Sequence, residues 1–229
     1  MGNKIYKYFD NGYALVQKDG LWGIITEADV EVIPCIYEKI YFRGKNRFVK
    51  KDGLWGIIDE KGNEIKPIMY EDIELLHANY RKVKKGGLWG IINNQYDEII
   101  PCIYEAVEVH QDSFLKIKKE GKWGIIDENG NEVISCMYEE IYPYGDSQQV
   151  KKDGLWGFID KNGKVVVPYV YEDLFPSRGG YLNVKRDGLW GLMNKQFELV
   201  IPCKYKNVRS FKNDYTIINK DGQWIVVKK

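Results

Sequence analysis

Charge of one sign is what this sequence most conspicuously lacks. Its 34 basic residues stand against 33 acidic ones, a formal net of +1. The molecule as a whole therefore exerts no pull on nucleic acid or on an anionic membrane, and neither is expected as a partner. Histidine is scarce, at two in 229 residues; His77 and His110 read as solvated loop residues, with no nucleophile–base phrase beside either. P-loop, GxGxxG and GxSxG phrases are absent, which removes the commonest signals of nucleotide binding and acyl transfer. No apolar run approaches the roughly 18 residues of a membrane helix. The opening MGNKIYKYFD has no signal-peptide core, and Gly2 lacks the Ser or Thr of a myristoylation signal. A cytoplasmic location is the resulting expectation.

The four cysteines also lack something, the CxxC spacing of zinc and redox sites. Cys35, Cys102, Cys136 and Cys203 share one repeat position, which Ile68 and Tyr169 fill elsewhere. A position that accepts Cys, Ile and Tyr is a packing position. No metal site and no cofactor is expected.

Repetition is what the chain does have. The tryptophans are Trp22, Trp55, Trp89, Trp123, Trp156, Trp190 and Trp224, spaced 33 or 34 residues apart. Gly follows the first six, and Ile225 the last. Twelve residues beyond each of the first six lies Pro34, Pro67, Pro101, Ser135, Pro168 or Pro202. Three further on lies a tyrosine: Tyr37, Tyr70, Tyr104, Tyr138, Tyr171 or Tyr205. Every change of length falls between that tyrosine and the next tryptophan, so a rigid segment alternates with one tolerant loop.

Each repeat reads as four short strands. In residues 138–168 these are YEEIYPY, QQVKK, LWGFID and KVVVP, with turns at GDS, DG and KNG. Asp-Gly between strand patterns is the strongest short-range hairpin signal. The step onward, PYVYED, reads as an extended link, and proline at the end of the fourth strand suits an edge. In LWGIID, Leu54, Gly56 and Ile58 share one face while Trp55 and Ile57 share the other. A strand apolar on both faces must be covered on both. The expected fold is all-β: seven tandem repeats of 33–34 residues in one domain, 1–229, forming a seven-bladed β-propeller-like array, the last repeat truncated. The alternative is an open β-solenoid of stacked meanders.

The unit V-K-K-D-G-L-W-G-I-I-D-x-x-G-x-E-V-I-P-x-x-Y-E resembles that of the bacterial WG-repeat (KWG) proteins, over essentially the whole chain. The resemblance implies a non-catalytic interaction module. A fainter likeness to cell-wall-binding repeats supplies the alternative, carbohydrate binding through exposed aromatics.

Several candidate sites follow. The tryptophans are expected to be structural anchors, each burying about 150–250 Å². The Tyr-Glu steps at Glu38, Glu71, Glu105, Glu139 and Glu172 read as repeat architecture. Two residues before each turn glycine stands a cation: Lys18, Lys51, Lys85, Lys119, Lys152, Arg186 and Lys220. Solvated turn cations beside Asp19, Asp52, Asp153, Asp187 and Asp221 are the plain reading; a collar for an acidic partner protein is the functional one. The loops at the other end vary most among repeats, and specificity belongs on such loops.

Overall fold

Asp-Gly turns and doubly apolar strands have a simple structural outcome here, a series of meanders. The computed structural model describes residues 4–8, 12–77, 79–111, 114–210, 215–220 and 222–228. Among these it forms seven antiparallel sheets, one per tryptophan, each in sequence order; six have four strands and the last has three. The only helix among the described residues is a single turn, Arg178–Gly180. The sheets gather into two compact units, Met1–Val107 and Glu108–Lys229.

The central hairpin of every repeat closes as its sequence demands. Lys152 pairs with Leu155 across Asp153 and Gly154, whose φ angles are 51° and 79°. Two successive positive φ values define a type I′ turn, whose twist matches the strands it joins. Asp19-Gly20, Asp52-Gly53, Gly86-Gly87, Glu120-Gly121 and Asp187-Gly188 take the same conformation.

The third strand is covered on both faces by different cores. Ile57 packs with Phe48, Val83 and Ile92, whereas its neighbour Ile58 packs with Ile24, Ile33, Ile40 and Val49. In the second unit Phe158 lies with Leu174, Leu182 and Met193, and Ile159 with Ile125, Ile134 and Ile141. Alternate residues of one strand thus join the preceding and following sheets. Each such fully buried aliphatic side chain contributes about 1.5–3 kcal/mol of transfer free energy.

Proline does not end the fourth strand, as its sequence position suggests. That strand runs from Glu31 to Tyr37 with Pro34 in its middle, and from Val165 to Tyr171 through Pro168. The link to the next repeat is therefore one residue long, not the extended segment PYVYED. The cause is a bulge. Trp156 pairs with Tyr171 and Phe158 with Val167, so four steps of the fourth strand span two of the third. The surplus folds over the glycine between them. A Cβ on Gly157 would stand 2.5 Å from the Val167 carbonyl oxygen, and one on Gly124 would stand 2.6 Å from that of Ile134. The Trp-Gly pair thus marks where a backbone crosses at contact distance, which only glycine admits.

A second turn locks the fourth strand. Asp127 Oδ1 accepts hydrogen bonds from the backbone N–H groups of Asn129 (2.9 Å) and Asn131 (2.8 Å), and Oδ2 accepts from Asn131 Nδ2 (2.8 Å). Asp59 and Asn194 build the same turn. The residue that follows takes positive φ: Gly62, Gly130 and Gly163, but also Tyr96 at 67° and Phe197 at 65°. These two bulky exceptions reach other repeats. Tyr96 packs edge-on to Phe48 at 5.9 Å, and its hydroxyl accepts a hydrogen bond from Asn46 Nδ2 at 3.1 Å. Phe197 lies 4.5 Å from the Phe158 ring.

Candidate functional site: the turn rim

The predicted cations all occupy one repeat position, the residue that closes the second strand. Lys18 pairs with Leu21, Lys51 with Leu54, Lys85 with Leu88, Lys119 with Lys122, Lys152 with Leu155 and Arg186 with Leu189. Lys220 pairs with Gln223; its side chain and Asp221 lie outside the described residues. Lys18, Lys85, Lys119 and Arg186 are exposed, while Lys51 and Lys152 are half-buried. Among the described residues only Arg186 of this set has a carboxylate ion-pair partner, Asp187 at 3.6 Å. Lys152 instead lays its ammonium 3.8 Å from Met137 Sδ and 5.8 Å from the centre of the Tyr169 ring.

The turns are held by the glutamate that leads into the first strand of the same sheet, whose own N–H donates to the second strand, as Glu139 does to the Lys151 carbonyl at 2.8 Å. Glu38 Oε1 accepts the Gly53 N–H at 2.8 Å, Glu71 the Gly87 N–H at 3.0 Å, Glu139 the Gly154 N–H at 3.1 Å and Glu172 the Gly188 N–H at 2.9 Å. Glu105 and Gly121 occupy the same two repeat positions. The Tyr-Glu step is thus a latch, and it fixes where the neighbouring cation stands. Glu139 titrates below the ordinary carboxylate range, first because Lys122 hydrogen-bonds it and then because Gly154 does. Beside the latched turns the outer strands expose Ile36, Ile103 and Met137. Between two such strands of the first unit runs an open groove of about 730 Å³, lined by Pro67, Met69, Lys85, Leu88, Pro101 and Cys102 among others.

The lysine one place earlier was not singled out by sequence. Across a two-residue turn, residues five apart face each other. Lys50, Lys84, Lys118, Lys151 and Lys185 therefore stand opposite the tryptophans, with ammonium groups 5.5–5.8 Å from the ring centres. From the first strand, Tyr41 stacks on Trp55 at 5.5 Å and Tyr142 on Trp156 at 6.1 Å. Lys82 and Lys116 cover Trp89 and Trp123 at 4.4 and 4.0 Å, paired with Glu74 and Glu108. Six tryptophans are half-buried in these settings, and Trp224 is 47 % exposed.

The cysteines sit in the bulge. All four are free and half-buried. Each Sγ points at a backbone carbonyl 19 residues earlier, that of Val16, Val83, Ile117 or Val184, at 3.5–4.0 Å. Burial raises the thiols of Cys35, Cys102 and Cys203 above their usual range, which disfavours the nucleophilic thiolate. His110 departs from expectation. It is half-buried, its Nε2 lies 2.9 Å from Gln148 Oε1, and burial lowers its pKa; it packs where a solvated loop residue was expected. The His77 side chain lies outside the described residues. Among the described residues no three His, Cys, Asp or Glu side chains gather as a metal site, and no helix is long and apolar enough to cross a membrane.

Of the variable loops, two are two-residue turns. Arg43 pairs with Asn46 and Tyr144 with Ser147, with Gly44 and Gly145 at positive φ. By topology they lie at the opposite sheet ends from the cation turns. Residues 9–11, 78, 112–113 and 211–214 of the other loops lie outside the described residues.

The sequence matches the family described as "WG containing repeat" seven times, over residues 4–22, 22–55, 55–89, 89–123, 123–147, 156–190 and 190–224. Comparison with curated proteins finds no match. Among solved structures, Hsv2p of Kluyveromyces lactis is similar at 16% identity and TM-score 0.34, over 95% of this chain and 86% of that one. A eukaryotic initiation factor is similar at 9% identity and TM-score 0.37, over 94% and 70%. PorZ, a surface component of the type-IX secretion system of Porphyromonas gingivalis, is similar at 9% identity and TM-score 0.33, over 95% and 38%. Likenesses this distant bear on neither activity nor partner.

Proposed function

The chain belongs to the WG-containing repeat family, and from that premise we propose that it is a non-catalytic cytoplasmic scaffold whose turn rim binds an acidic partner protein. The carrying observation is the latch. In four described repeats a glutamate at the entry to a sheet fixes the turn glycine of that sheet, beside an unpaired or loosely held cation. Positive charges on pre-ordered turns lose little conformational freedom when they bind. Exposed Ile36, Ile103 and Met137 lie in the strands flanking them, so the rim combines charge with apolar surface, the composition of a protein-binding surface.

Selection of binders from a displayed peptide library by the full chain tests this. Acidic sequences are expected, with affinity falling as salt rises. Replacing Lys51, Lys85, Lys119 and Lys152 together by Ser is expected to weaken binding about tenfold or more, at about 0.3–1 kcal/mol for each rim charge. Selected peptides without acidic residues, or affinity unchanged in the fourfold variant, would sink the proposal.

A further inference from the structure

A cleft in the second unit carries a separate site. Its cavity of about 560 Å³ is lined by Phe175, Pro176, Ser177, Asn183, Trp190, Asn207, Val208 and Arg209. It lies between the sixth sheet and the three-stranded seventh. Asn183 is 92 % buried (8 % exposed), and its Oδ1 is a buried acceptor with no donor. A buried carbonyl without a donor forfeits its hydration and gets nothing in return, so such groups call for an explanation.

The preceding repeat is built differently here. Gln149 occupies the position of Asn183, and its Nε2 donates to the Leu174 carbonyl of the next sheet at 2.9 Å. Val208 occupies the position of Leu174. Asn183 is one methylene shorter than Gln149, and no such bridge to Val208 forms; the cleft opens at that spot. Without that bridge, which runs through the amide nitrogen, a space opens beside Asn183, whose Oδ1 separately has no donor.

The rest of the lining specifies what fits. Oδ1 demands an N–H or O–H donor, which excludes ligands that only accept. A half-turn of the carboxamide presents it to the cleft at small cost, since that torsion is broad. Phe175, 42 % exposed, and Trp190 meet edge to face, with centroids 5.4 Å apart at 66°. They form an apolar corner, not the parallel slot that sandwiches a planar base. A sugar ring, puckered and carrying C–H groups on its faces, suits a corner. No lining residue is acidic. Arg209 stacks on Trp224 at 5.0 Å and makes no ion pair among the described residues, leaving its guanidinium fork open to a carboxylate.

We propose that this cleft binds an acidic saccharide: ring faces against Phe175 and Trp190, a hydroxyl donating to Asn183, and a uronate carboxylate on Arg209. The site stands whether or not the rim binds an acidic protein. The test is titration of the full chain, followed by tryptophan fluorescence, with D-glucuronic acid and digalacturonic acid; glucose and adenosine monophosphate serve as controls. Saturable binding of the uronates, at least about tenfold tighter than glucose, is expected. Asn183→Gln recreates the Gln149-type bridge and so commits the amide to the Val208 carbonyl; it should abolish uronate binding while the melting temperature stays level or rises. Arg209→Gln should keep the weak glucose response and remove the preference for uronates. No saturable uronate binding, tighter binding of adenosine monophosphate, or uronate affinity unchanged in Asn183→Gln would each overturn the proposal.

Discussion

At the scale of single residues, the glycine of Trp-Gly is the least replaceable. Ala at Gly124 or Gly191 would drive a methyl to about 2.6 Å from a backbone carbonyl oxygen and 2.8–2.9 Å from a backbone nitrogen. Backbone gives way less readily than a side chain, so each substitution is expected to cost about 2–3 kcal/mol in urea unfolding. At the equivalent position of the last repeat stands Ile225, in a strand with no fourth-strand partner among the described residues. Ile225→Ala is expected to cost under about 1 kcal/mol, and a cost equal to that at Gly124 would contradict the bulge account. That a glycine follows six of the seven tryptophans was plain in the sequence. That a backbone bulge lies over it was not, because proline suggested a strand end, and the pairing of Trp with Tyr beyond it is a register fact. His110 was misread for a related reason: its partner Gln148 is 38 residues away.

The elements carry two further predictions. In the turn after the third strand, hydrogen bonds from Asn63 and Asn131 hold the carboxyls of Asp59 and Asp127 below their usual range. A depressed folded pKa gives stability that is present above the unfolded value, roughly pH 4, and lost as pH falls through the folded value. Asn93 and Asn194 build the same turn without charge. Replacing Asp59 and Asp127 together by Asn should therefore flatten the loss of stability below about pH 4 while leaving the neutral-pH melt close to wild type; an unchanged acid profile would count against this origin. At the next turn position, Tyr96→Gly relieves a positive φ but removes a side chain that is 6 % exposed and packed on Phe48. Lost burial outweighs relieved strain, for a net destabilisation of about 2–3 kcal/mol measured by denaturant. Asp-Gly turns and strand order were legible from local sequence, since turn chemistry is local. The glutamate latch was not: Glu139 and Gly154 are 15 residues apart, and a Tyr-Glu step looks like any exposed acid until the first and second strands pair.

For the whole molecule, regularity and departure from it play different parts. Inner third strands such as Leu54–Ile58 and Leu155–Asp160 feed two cores, so neighbouring repeats within a unit support one another by packing. Function is read from what varies on that frame. The turn cations were visible in the sequence because they recur. The Asn183 cleft was not, because a Gln-to-Asn difference of one methylene matters only where the sheets meet. Hydrogen–deuterium exchange on the full chain, with and without an acidic peptide selected by it, tests most directly whether the Trp-Gly signature builds the frame and the rim does the binding. Protection confined to the turns at Lys51–Leu54, Lys85–Leu88, Lys119–Lys122 and Lys152–Leu155 is the predicted result. Protection confined to the loops at the opposite sheet ends, with those turns exchanging as in the free protein, would contradict it.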